Sequence, residues 1–585
     1  MNKKLLFYIG ILIALCSCED VIEPAIDNHR KLESGREDPA FGAGLLYNAY
    51  TRLPTNNWTF SEMATDDAVS SNEGNEFSLM ANGRWASNYN PMEQWQRSRS
   101  AIQYINLMLS EVDSITFSDT EIVNHMFRQR TKGEAYALRA IHMYHLLQGH
   151  GGMADGSLLG VPIVLEPEDA SSDFNKPRAS FEECMQQLYS DIEKAIELLP
   201  LDYGDIGSDA DVPSVYASQG ATKSDYDRVF GNVMKLRLTG RIIRAVKAQA
   251  ALLAASPAFS EGTTTTWADA ANYAAEVIDL NGGIGGIDPD GVTWYDNRNI
   301  IDGLGAGANP KEILWRNNVS GSESDLEANN FPPTLYGRGL VNPSQNLVDA
   351  FPMADGYPIG HPLSTYDANN PYLNRDPRLQ KFIIVNGSTL GPNNTTVYTS
   401  VDGGTNDGLN RVETSTRTGY YLRKLLRGDV NLNPSSVNGQ RHIKPHIRYT
   451  EIYLIFAEAA NEAWGPMAPG PGGYSAYDVI RAIRERAGIT GGDPYLESIK
   501  GDQDAMRQLI RNERRLELSF EGFRFWDLRR WKENLTETAK GVQIQGGNHQ
   551  IINVEQRAYG SQAIYGPVPY SETLKFSALQ QNTGW

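Results

Sequence analysis

Helical periodicity fills both ends of this chain and lapses between them, and no other feature limits its fold as tightly. SFEECMQQLYSDIEKAIELLP (180–200) places Phe181, Leu188, Ile192, Ala195 and Leu199 on one apolar stripe, as in a helix with one buried side. Ser180 and Glu183 are spaced for a capping box at its start, and Pro200 stops it. RTKGEAYALRAIHMYHLLQGHGG (130–152) repeats the pattern with Tyr136, Ala140, Met143 and Leu147, and should stop at Gly149. RIIRAVKAQAALLAASPAFS (241–260) is rich in small residues, which let helices approach closely, and TWADAANYAAEVIDL (266–280) follows a Thr/Gly loop.

Residues 282–445 read differently. Gly, Asn, Pro and Asp dominate, with short apolar pieces such as EILW and KFIIV. That composition predicts loops, short strands and few helices, and a loop-rich stretch of this length is often functional. Helices return in 446–585. YTEIYLIFAEAANEAW puts Ile452, Ile455, Ala459 and Ala463 on one face; YDVIRAIRERAG follows; LIRNERRLELSFEGFRFWDLRRW keeps Leu509, Leu516, Phe520 and Phe523 in one helical register. Paired amphipathic helices predict a mainly α fold of tetratricopeptide-like helix pairs. The 34-residue tetratricopeptide consensus is absent, so periodicity alone supports helical pairs. We divide the chain into 41–281, 282–445 and 446–585, packed as one unit.

The cysteines set further limits. Beyond position 18 only Cys184 remains, so the body can form no intrachain disulfide and no four-cysteine zinc site. Cys16 and Cys18 follow Lys3, Lys4 and an eleven-residue apolar run, Leu5 to Leu15. The run suits a signal-peptide core and is too short to span a bilayer, which takes about 20 residues. Its end, Leu15-Cys16-Ser17-Cys18, resembles the bacterial lipobox. That resemblance implies cleavage after residue 17 and a lipid on Cys18, since the small Ser17 suits the position before the modified cysteine. Glu19 and Asp20 resemble the acidic export tag of Bacteroidetes surface lipoproteins, and 18–40 reads as an acidic tether. The chain carries a net −18; losing Lys3 and Lys4 brings it to about −20. Such a chain has no electrostatic draw toward nucleic acid.

RYTEIYLIFAEAANEA, AYDVIRAIRERAGI and IRNERRLELSFEGFRFWDLRRW together resemble the C-terminal signature of the SusD/RagB family. ALRAIHMYHLLQGHGG, GVPIV, LLAASPAF, NPSQNLVDAFPMADG, NRDPRL and GYYLRK agree in the same order. The resemblance covers nearly the whole mature chain. It implies a surface lipoprotein of the outer membrane whose tetratricopeptide-like scaffold supports an irregular ligand-binding face. The protein would sit over a SusC-like TonB-dependent transporter and pass it oligo- or polysaccharide. Related proteins handle peptides, which keeps a RagB-like peptide binder as an alternative. A surface glycoside hydrolase and a purely structural protein are further rivals.

Catalytic and cofactor chemistry finds little support. A glycosidase needs two carboxylates at a set separation, and nothing singles out such a pair. GLGAGANP (303–310) lacks the Lys-Ser/Thr ending of a phosphate loop and reads as an ordinary loop. Asp288 and Asp290 in DPDG lack the later glutamate of a calcium loop, which favours a turn. His142 and His145 fit helix packing better than metal binding. Glu513, Glu517 and Glu521 recur every four residues among Arg511, Arg514, Arg515, Arg524, Asp527 and Arg530, predicting a salt-bridge network. We expect no catalytic residues, no metal and no cofactor.

Sugars present an apolar face ringed by hydroxyls, so exposed aromatics beside Asn, Asp, Gln and Arg suit them. Two stretches have that texture. NGRWASNYN (82–90) offers Arg84, Trp85, Asn88 and Tyr89; TWYDNRN (293–299) offers Trp294, Tyr295, Asp296 and Asn297. The family resemblance adds weight to the first, which follows the acidic pair Asp66 and Asp67. Trp315 ends an apparent strand and stands between core and contact. Trp95, Trp526 and Trp531 read as structural.

Overall fold

The computed structural model describes residue 36 and residues 38–305 and 307–585. The signal segment 1–17, Cys18 and most of the 18–40 tether lie outside the described residues. Among the described residues no helix is long and apolar enough to cross a membrane.

Ten of the helices carry the architecture: α1 (Pro39–Tyr50), α2 (Trp95–Glu111), α3 (Glu121–His150), α4 (Phe181–Leu198), α5 (Gly240–Ala255), α6 (Trp267–Leu280), α7 (Tyr449–Trp464), α8 (Ala476–Ala487), α9 (Gln503–Glu517) and α10 (Arg524–Arg530). From α1 to α8 each packs on the next, and α9 joins α7. This is the stacking of a mainly α, tetratricopeptide-like array. The sequence cues operate locally. Ser180 and Glu183 close the α4 capping box, with Glu183 Oε2 accepting the Ser180 N–H at 2.8 Å. The α4 stripe is buried throughout. A Cβ on Gly133 of α3 would lie 2.7 Å from Leu199 Cγ, so the glycine permits the close approach of the α4 end. His142 sits in this core, its ring nitrogens bonded to Ser98 Oγ at 3.2 Å and Ala49 O at 3.0 Å.

Two expectations need correction. The first is the single apolar face of α7: every residue from Tyr449 to Asn461 is buried, because α6, α8 and α9 surround the helix. The second is the unbroken register through Phe523. The helix ends at Glu517 and restarts at Arg524. Phe520 (φ 63°) and Gly522 (φ 89°) turn left-handed between them, and cations hold the carbonyls thus freed. Lys424 Nζ donates to Glu517 O at 2.7 Å and Ser519 O at 2.9 Å, and Arg448 Nη2 also reaches Glu517 O.

Residues 282–445 form short helices, turns and short strands. Asp288 and Asp290 make a turn in which Asp288 Oδ1 accepts the Asp290 N–H at 3.1 Å. Strand β1 (Ile313–Arg316) pairs antiparallel with β2 (Pro445–Arg448), placing Pro445 opposite Arg316 and Ile447 opposite Trp315. The C-terminal segment is not purely helical. Strands β3 (Ala539–Gln545) and β4 (Asn548–Glu555) make a hairpin around Gly546 and Gly547, whose positive φ values of 56° and 80° suit a two-residue turn.

Two large apolar clusters result, one among the helices and one where the loop-rich region packs against residues 60–92 and 516–563. The predicted ion-pair network is present and reaches further than the signature. Glu513, Glu517 and Glu521 take cations from the loop-rich region (Arg378, Lys424), from the residue before α7 (Arg448) and from α8 (Arg484, Arg486). Asp66 is clamped by Arg515 at 2.8 Å and Arg524 at 2.9 Å.

Candidate ligand-binding cleft

The ladder β1–β2 ends at a cleft. Asn317 continues β1, its N–H bonding Lys444 O at 2.9 Å, and its side chain donates to Asn56 O at 2.9 Å. Asn56 closes a short turn after α1 and anchors back to Tyr50 O at 2.9 Å. These bonds bring α1, the segment 53–60 and the ladder together around two adjoining cavities of about 630 and 660 Å³. Asn56, Asn317 and Asn318 line both, so the two form one asparagine-lined cleft.

An aromatic residue stands on each side. Tyr47 leaves the solvent face of α1 and is 51% exposed. The Arg237 guanidinium covers one ring face at 4.8 Å and donates to the Tyr47 hydroxyl at 2.9 Å. Arg237 is itself fixed by Glu134 at 3.1 Å. Trp58, half-buried, stacks against Phe60 and Trp294 at 6.4 Å each, with the Lys444 ammonium 4.2 Å from its ring centroid. Deeper in, Trp315 packs on His446 with ring centroids 4.0 Å apart. Thr55 Oγ1 holds His446 Nδ1 at 2.6 Å, and burial keeps this imidazole well below its usual pKa. Burial also lowers the Lys444 ammonium to about 8, against the opposing pull of Glu521.

The residues nominated from sequence do not assemble into one site. Trp85 was expected to be exposed; it is buried against Phe525, Tyr559 and Trp585, with Nε1 donating to Asn90 at 2.9 Å. The C-terminal residues cover it, so its polar sequence neighbours mislead. Arg84 and Asn88 are exposed and Tyr89 half-buried, but none of the three lines the cleft. Trp294 is likewise buried, at 3% exposure, and backs Trp58 instead of meeting solvent. Tyr295 and Asp296 line a separate 480 Å³ cavity, where the Tyr295 hydroxyl donates to Lys381 O at 2.9 Å. Asn297 is half-buried and lines neither cavity of the cleft. Trp315 alone lines the cleft, as a buried wall whose Nε1 donates to Leu236 O at 3.2 Å. Trp95 and Trp531 are core, as expected. Tyr47 and Trp58 were missed. The TNNWT run (55–59) has the same aromatic-among-asparagine texture as the two nominated loops; Tyr47 sits in a helix and gives no such signal.

Comparison with known proteins agrees with this architecture. A SusD family model matches residues 311–585, and a second, described as starch-binding and associating with the outer membrane, matches residues 26–219. A SusD-like protein of Formosa agariphila is 24% identical over 571 residues, 93% of either chain. The solved structure of a SusD-like protein from Bacteroides fragilis aligns with 94% of this chain and 98% of its own, at TM-score 0.70 and 23% identity. A SusD-like carbohydrate binding protein from the same organism covers 93% and 99%, at TM-score 0.66 and 20% identity. Both structural likenesses are of fold. With the two models spanning both ends and the relative running nearly end to end, the chain belongs to the SusD-like family.

Proposed function

We propose that this protein captures glycan in the asparagine-lined cleft without chemical change and hands it to a SusC-like TonB-dependent transporter. The observation that carries the reading is the cleft itself: a half-exposed tyrosine ring at one end, amide side chains along the floor and a tryptophan wall at the other. Ring faces suit the apolar side of a sugar, and asparagine can both donate to and accept from hydroxyls. The carbohydrate-binding description of one structural relative and the starch-binding description of one family model support the same class. A lipid on Cys18 would tether the protein to the outer membrane, facing outward, where capture precedes import. No cofactor or metal enters this reading.

Calorimetric titration against a glycan panel, with chromatography of the incubated glycan, tests it. The expected result is binding without shortened products, weakened in Tyr47→Ala while the melting temperature holds. Shortened products would replace the reading with a hydrolase; binding of peptides and no glycan would replace it with a peptide carrier.

A further inference from the structure

The chain as a whole is strongly acidic, at −18, yet among the described residues no carboxylate lines the 630 Å³ half of the cleft, where Arg237 and Arg316 do. Arg237 shares its charge with Glu134. Arg316 is 2% exposed, and among the described residues its Nη1 and Nη2 donate only to the carbonyls of Asn317 and Ala308, at 2.8 and 2.6 Å. Its Nε has no partner among the described residues. Lys444, which lines the 660 Å³ half, donates to Pro445 O at 2.8 Å and leans on Trp58. Neither Arg316 nor Lys444 forms an ion pair with a described carboxylate, whereas Arg378, Arg484 and Arg530 each have two or more. Arg178, Arg375 and Arg529 also rest on neutral acceptors, but those three lie away from the cleft.

A buried cation without a counter-ion is costly, and an arriving anion supplies the missing charge. Glu521, the buried acid whose charge reaches Lys444, is already held by Lys424 at 2.7 Å and Arg448 at 2.8 Å. Glu76, Glu323 and Asp325 line the 660 Å³ half but are solvent-exposed, so water and salt screen them more than they screen the floor. We propose that the cleft selects glycans bearing negative charge, a carboxylate or a sulfate ester, and that Arg316 and Lys444 receive the anionic group. This rests on the glycan reading above and narrows its substrate class.

The test uses matched glycans differing only in charge: polygalacturonate and its carboxyl-reduced form, carrageenan and its desulfated form, with a neutral panel beside them. Titrated into the intact protein, at least one acidic member should bind about tenfold or more tighter than its neutralised partner, and sodium chloride should weaken it. The pair that responds tells carboxylate from sulfate. Lys444→Met should cost the acidic glycan about tenfold, and Lys444→Arg should restore it. Arg316→Gln is a second probe, secondary because Arg316 is buried. Binding of the charged and neutralised forms within about twofold, or binding confined to neutral glycans, overturns the charge selection and leaves glycan capture standing. No binding to any glycan overturns both.

Discussion

Arg378 Nη1 lies 2.9 Å from Glu517 Oε1, and neither side chain reaches solvent. This pair ties the loop-rich region to α9. Around it run five cations (Arg378, Lys424, Arg448, Arg484, Arg486) and six carboxylates (Glu312, Asp376, Asp493, Glu513, Glu517, Glu521). Burial alone would raise Glu517; Arg486 and Arg378, with Arg448 and Lys424, more than offset it and leave the carboxyl at about 2. Removing one member strands buried charge, so Glu517→Ala should cost about 3–5 kcal/mol. Glu533→Ala removes a carboxylate that Arg511 meets at 2.6 Å on the surface and should cost about 0–1 kcal/mol. Melting curves of the two variants compare them directly; equal losses would mean that the interior network stabilises no more than a surface pair.

That network was legible because its residues recur every four positions in one stretch. Its partners were not: Arg378 and Lys424 lie more than ninety residues from the glutamates they meet. The long helices were legible from capping residues and apolar spacing, as at Ser180 and Glu183. The break after Glu517 was not, because Lys424 and Arg448, from elsewhere in the chain, stabilise it. Local polarity misjudged Trp85 and Trp294 for the same reason, since the rings covering them come from residues 525–585 and from Trp58.

Those two tryptophans give a second prediction. Each is a large ring in the interior, so Trp85→Ala and Trp294→Ala should each cost about 3–5 kcal/mol. Glycan affinity of whatever remains folded should change less for Trp85→Ala, which lies outside the cleft, than for Tyr47→Ala. Unchanged melting temperatures would show the rings to be dispensable to packing.

Glu62 and Glu451 are buried with one oxygen satisfied and one not. Glu62 Oε1 accepts the Gly522 N–H and Glu451 Oε1 accepts from Gln249, each at 2.7 Å, while each Oε2 lacks a partner among the described residues. Burial pushes both carboxyls up to about 7. The folded state therefore holds these protons from about 4.5 to about 7 when the unfolded chain has released them, and stability falls as pH rises through that window. His142 and His150 act oppositely: burial lowers both to about 4, so their contribution is lost as pH falls below about 6.5. The wild-type profile mixes the two, and a variant separates them. The melting temperature of Glu451→Gln, relative to wild type, should rise from pH 5 to pH 8. A constant difference would mean that Glu451 is ionised in the fold throughout.

The Lys444 ammonium offers the last prediction, conditional on an acidic glycan binding there. Burial brings it to about 8 while Glu521 opposes the shift, and it faces Trp58 and neighbouring His446. The carboxylates that line the cleft, Glu76, Glu323 and Asp325, are exposed to solvent. His446, held neutral by burial and by Lys444, adds no slope. Between pH 6 and 7.5 the ammonium is charged and affinity should be flat. As pH rises through 8 the free protein loses that proton, and binding must take it up again, so acidic-glycan affinity falls by up to about tenfold per pH unit. Lys444→Arg carries a guanidinium that stays charged and should hold its affinity to pH 9.5. Calorimetry in buffers of different ionisation enthalpy should show proton uptake on binding above pH 8 in the wild type alone. Equal uptake in the arginine variant would assign the proton to another group and detach Lys444 from the anion.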